Sequence, residues 1–197
     1  MNKLLLTITI IAAGCSSGDA TTNREPLGDT ARVTVDSVFP ADEEIRRFKV
    51  ARGLDTTIAL QDGARTRDDL VEAFMTALER ADTAWLRKMA LSAGEFIDLY
   101  YPASIFVRPP YKQSPELRWF LLQQHSEKGL NRLLQRYGGN GADFRGYQCA
   151  VSQNEGGSII WDRCTVKWAA HREPVRLFST IIERDGRFKF VSFANDL

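Results

Sequence analysis

The 197-residue chain is short of several things that usually announce a function. It has two histidines, His125 and His171, and three cysteines, so a His/Cys metal cage has few ligands to draw on. It has no Lys/Arg-rich block: 26 basic and 25 acidic side chains are interleaved along its length, which leaves nucleic acid without a basic patch to bind. The glycines at 138–141 lack the Lys-Ser/Thr tail of a phosphate loop and follow a helix, so they read as a helix stop. The only long apolar run, Leu4 to Ile11, is too short to span a bilayer.

What is present begins with that run. Lys3 precedes it as a short positive segment, and Ala12-Ala13-Gly14 supplies small residues directly before Cys15. Residues 1–14 resemble a bacterial lipoprotein signal peptide with its lipobox. The resemblance implies that Cys15 becomes the acylated first residue and anchors the chain to a membrane. An ordinary secretory peptide also ends in small residues, but it needs no cysteine just after the cut. Ser16 stands where an Asp would signal inner-membrane retention, so the resemblance implies the outer membrane's inner leaflet, facing the periplasm.

Removing residues 1–14 leaves about 183 residues, the size of one domain. Loss of Lys3 brings the basic count level with the acidic one, and 44% apolar content suits a globular core. Residues 15–31, rich in Ser, Gly, Thr, Asp and Asn, read as the lipidated cysteine and a flexible tether. Residues 32–65 read as an extension: an extended segment over Arg32–Val38, then a short helix from Pro40 with early acids, ending near Gly53.

Residues 66–197 carry the main pattern. Thr66 with Asp69 suggests a capping box, followed by Leu70, Val71, Phe74, Ala77, Leu78 and Ala81 at helical spacing. Asp82 is placed to cap a helix bearing Leu86 and Met89. Ser92 with Glu95 caps another, bearing Phe96, Leu99 and Tyr100 and stopped by Pro102. Ser114-Pro115 then starts a long amphipathic helix with Leu117, Phe120, Leu121, Leu130, Leu133, Leu134 and Tyr137 on its apolar face, weakest in propensity at 126–129. From Phe144 the period falls to two, giving four strands: Arg145–Ser152, Ser158–Ala169, Val175–Glu183 and Arg187–Ala194. Asp185-Gly186 marks a tight hairpin turn. The expected fold is α+β, with N-terminal helices covering one face of a C-terminal four-stranded antiparallel meander.

The first hairpin should reverse between Gly156 and Gly157, which sets Cys149 opposite Cys164. Tyr147, Cys149 and Val151 would share one face, as would Ile160, Cys164, Val166 and Trp168. A Cys149–Cys164 disulfide follows in an oxidising compartment, with a reduced core pair as the alternative.

The order of elements, with paired helices around "ALERADTAWLRKM", a further helix and a closing meander, resembles the NTF2-like superfamily and its SnoaL-like members. It implies a cone with a pocket between helices and sheet, used by enzymes and binding proteins alike. The Asp/His pair frequent in that family has no matching position. Weak candidates for a base are His125, Glu127 and Asp98, with His171 behind them; a His two residues from a Glu on a helix does not face it. Tyr100, Tyr101, Arg108, Tyr111, Arg118 and Trp119 are candidates to line a ligand pocket, or else a packed loop. The expected function is non-catalytic binding of a small ligand, cell-wall component or envelope partner. No cofactor and no metal is implied. The alternative is an NTF2-like hydrolase or isomerase, favoured if His125 stands beside a carboxylate in a closed pocket and ended if it faces water.

Overall fold

The structure, a computed structural model, describes residues 39–141, 143–169 and 172–194. The expected signal peptide, Cys15, its tether, the extended segment Arg32–Val38 and His171 lie outside the described residues.

The helices form where the sequence places their caps. Helix α1, Ala41–Arg52, has acids in its first turn and Lys49 and Arg52 in its last, and Gly53 closes it at φ 60°. Helix α2, Arg67–Glu79, begins where Thr66 Oγ1 accepts from the Asp69 N–H; it stops short of Ala81, which takes φ 52°. Asp82 caps α3, Thr83–Lys88, by accepting from the Trp85 N–H. Ser92 and Glu95 form a reciprocal capping box on α4, Ala93–Glu95, which runs on as a π-helical turn, Phe96–Tyr100. Short 3-10 turns follow at Tyr101–Ala103 and Ile105–Val107.

Helix α5, Pro115–Tyr137, runs unbroken through 126–129, where its helix propensity is weakest. Gly129 is tolerated there because it is needed: a Cβ on it would lie 2.2 Å from the Ala194 carbonyl oxygen. Only glycine lets this helix come so close to the C-terminal strand. The expected apolar face is also corrected in the first turns, where Trp119 and Leu122 are buried while Leu117 and Phe120 are exposed.

Among the described residues six strands replace the four expected: β1 Phe144–Gln148, β2 Val151–Glu155, β3 Ser158–Asp162, β4 Thr165–Trp168, β5 Phe178–Arg184 and β6 Arg187–Phe193. β1 and β4 make a two-stranded sheet, and the larger sheet runs β2-β3-β5-β6, all antiparallel. The first hairpin keeps the expected register as far as Gly146 opposite Lys167, with Glu155 opposite Ser158 and Gln148 opposite Thr165, and a bulge shifts it by one before Phe144 meets Trp168. It is broken in the middle because Arg163 adopts φ 51°, which redirects the chain between β3 and β4. That residue also flips the alternation. Trp161, Cys164, Val166 and Trp168 therefore share one side, whereas Ile160, expected with them, packs on the other. The third expected strand starts late, at Phe178, with Val175 held only by a bridge to Val166.

Helices cover both sides of the larger sheet, not one. On one side α2 and the C-terminal half of α5 bring Phe74, Leu78, Leu130 and Leu133 onto Phe178, Ile181, Phe190 and Phe193. On the other, α1, the π-helical turn and the start of α5 bring Phe48, Phe96, Ile97 and Trp119 onto Ile182 and Val191. α1 thus belongs to the same packed body as the residues after 66. Cys149 and Cys164 are joined by a disulfide of 2.02 Å, with Cys164 fully buried.

Candidate functional site

A cleft of about 210 Å³ opens between α3, α5 and β6. Its floor is set by β6, where the Leu91 N–H donates to the Phe190 carbonyl and brings Leu91 beside Val191 and Phe193. One wall is a stripe of α5 at helical spacing, Trp119, Leu122, Gln123, Ser126 and Glu127. The close approach at Gly129, two residues further on, and the Phe193 N–H donating to Ser126 Oγ at 3.3 Å hold that wall against the strand. α3 supplies the opposite rim. Leu86, fully buried, pins the helix down and Arg87 reaches across to α5.

Arg87 meets Glu127 in a two-pronged pair, Nε to Oε1 at 2.9 Å and Nη2 to Oε2 at 2.8 Å. The hydrogen bond from Arg87 holds the Glu127 carboxyl below the usual carboxylate range, and the same bond raises the guanidinium's own value. Both side chains remain about half exposed, 53% and 48%, so the bridge is a rim feature and not a buried charge pair. Apolar walls with one separable ion pair at the mouth suit a small apolar group carrying a polar head.

Two other carboxylates, Asp98 and Glu95, are occupied structurally. Asp98, a candidate base, binds Lys49 Nζ at 3.1 Å through both oxygens and accepts from the Thr57 N–H at 2.7 Å, fastening α1 and its following loop to the π-helical turn. Glu95 is fully buried; it accepts from the Gln61 and Ser92 N–H groups and from Lys189 Nζ at 2.9 and 3.1 Å. His125 is exposed on α5, while Glu127 beside it in sequence is bound to Arg87. A base paired with a carboxylate inside a closed pocket is therefore not formed at His125.

The aromatic and arginine candidates divide. Trp119 alone of the six lines the cleft, packed 5.1 Å from the Phe96 ring. Tyr101 is fully buried, donates to the Gln113 carbonyl at 2.7 Å, and is pushed up to about 12 by burial, with Glu44 and Glu116 adding to the effect. Tyr100 packs against Phe96. Arg118 lies over the Phe106 ring at 3.8 Å. Arg108 and Tyr111 are on the surface. The i, i+3, i+4 and i+7 stripe on α5 was available in the sequence as a guide to Leu122, Gln123 and Ser126. Arg87, Leu91, Val191 and Phe193 join them only through tertiary packing.

A second cavity of about 220 Å³ lies on the other side of α3, walled by Leu70, Ala73, Trp85, Met89 and Phe188. Among the described residues no cluster of three or more His, Cys, Asp or Glu side chains could hold a metal ion. No helix there is long and apolar enough to cross a membrane. Comparisons with protein-family models, with curated proteins and with solved structures find no match.

Proposed function

We propose that this is an envelope-anchored lipoprotein whose domain is a non-catalytic binding module, taking a short apolar group with a polar or charged head into the α3–α5–β6 cleft. The observation that carries the binding reading is the composition of that cleft: Leu91, Leu122, Val191 and Phe193 inside, and the Arg87–Glu127 pair at the rim. Its volume is below the roughly 300–1,000 Å³ of sites for drug-sized molecules, which fits one side chain or the end of a longer molecule rather than a whole cofactor. A carboxylate head would compete with Glu127 for Arg87, and an ammonium head would compete with Arg87 for Glu127.

The anchoring part rests on the lipobox at Ala12-Ala13-Gly14-Cys15, and the Cys149–Cys164 disulfide supports an oxidising compartment. The NTF2-like reading is the fold-level part of the same proposal, supported by helices that precede an antiparallel sheet and a cleft where the two meet.

Replacing Gln123, an exposed residue at the cleft mouth, with tryptophan fills the opening without touching the core. The expected outcome is loss of any co-purifying small molecule with thermal stability retained. A Gln123→Trp protein that keeps the molecule at wild-type occupancy would place binding elsewhere.

A further inference from the structure

We infer that the end of the domain formed by the Ile105–Lys112 loop and the start of α5 rests on the lipid surface to which the chain is tethered. This rests on the proposed anchoring at Cys15. Ile105 is 54% exposed and Tyr111 61%, with Arg108, Pro109 and Pro110 also exposed between them; Leu117 and Phe120, one turn apart on α5, are 47% and 54% exposed. Four of the seven large apolar side chains exposed among the described residues thus fall within sixteen consecutive positions, on a loop and a helix start that the Arg118–Phe106 contact holds together.

Their exposure is built in, not a product of looseness. The Gln113 N–H donates to the Phe106 carbonyl at 2.9 Å, Tyr101 donates to Gln113 from below, and Phe106 is clamped under the Arg118 guanidinium. The loop has a fixed underside and presents Ile105 and Tyr111 outward. Isoleucine and tyrosine suit the interface between hydrocarbon and headgroups, and Arg108 is long enough to keep its charge among the headgroups while its stem lies on apolar surface.

The Phe39 carbonyl accepts from Lys112 Nζ at 2.7 Å, so the chain leading back to Cys15 joins the domain beside Tyr111. The tether read in the sequence over residues 15–31, taken as a coil of about 17 residues, would have a root-mean-square span of about 20–25 Å. It keeps the lipid within reach while leaving surface chemistry to choose the face. Val50, Ile58 and Trp85, the remaining large exposed apolar side chains among the described residues, come from α1, the loop after it and α3.

The test uses the full acylated chain in vesicles of phosphatidylethanolamine and phosphatidylglycerol, with a spin label on Ile105→Cys, Tyr111→Cys or Asn140→Cys. The introduced thiol is unique, because Cys149 and Cys164 are paired and Cys15 is acylated in this reading. Asn140 lies beyond the far end of α5, about 35 Å away along the helix. Labels at 105 and 111 are expected to lose accessibility to a water-soluble nickel chelate severalfold on vesicles, and the label at 140 to stay unchanged. Equal accessibility at all three positions in a chain that sediments with vesicles would overturn the docking face and leave the anchor standing. A chain that does not sediment would overturn both.

Discussion

Gly129, Lys189 and Glu127 each carry a distinct physical role. Gly129 permits contact: with 2.2 Å between a prospective Cβ and the Ala194 oxygen, Gly129→Ala must push α5 away from the strand. The expected cost is about 3 kcal/mol, read as a lower urea midpoint with unchanged slope. Lys189 neutralises Glu95 where water does not reach, so Lys189→Ala leaves a buried carboxylate without its cation. A loss of about 3–5 kcal/mol is expected, and less from the double variant E95Q/K189M, which removes both charges together. Glu127 is a rim residue whose pair with Arg87 lowers its pKa. Its stabilising contribution is therefore present at neutral pH and is lost as pH falls through the folded value. NMR titration is expected to find the Glu127 carboxyl titrating below the ordinary glutamate value of about 4.3; a value at or above it would mean that the pair is not formed in solution.

At the scale of elements, the broken hairpin and α5 explain what the sequence could and could not disclose. Caps and turns are local chemistry, which is why Ser114-Pro115, Ser92 with Glu95 and Asp185-Gly186 mark their elements correctly. The Cys149–Cys164 pairing was readable for the same reason, since register follows from the turn at Gly156-Gly157. The break at Arg163 was not readable: a non-glycine residue in left-handed backbone carries no strong signal, and it moves Ile160 to the opposite side. Nor could periodicity disclose that Gly129 serves a contact with residue 194, because that contact joins distant parts of the chain. Of the candidate site, only Trp119 and Glu127 were singled out in the sequence, because the apolar residues Leu117 and Phe120 pointed to a face of α5 that is exposed; the facing wall from α3 and β6 depends on packing. For the hairpin itself, Cys164→Ser is expected to lower stability by roughly 3 kcal/mol, the loop-closure effect for a 15-residue separation. Denaturation with and without reductant checks it, and coincident curves would mean the bridge does not constrain the unfolded chain.

At the scale of the whole molecule, the disulfide-stapled α+β domain and its small cleft with a charged rim are what the proposed lipid anchor would hold at the envelope as a binding module. The most direct test is native mass spectrometry of the protein extracted in detergent from its own envelope. The expected result is a chain starting at an acylated Cys15, with Cys149 and Cys164 oxidised and a small molecule bound that Gln123→Trp fails to retain. An unprocessed or unacylated chain, or a mature chain whose bound molecule is indifferent to Gln123→Trp, would contradict it.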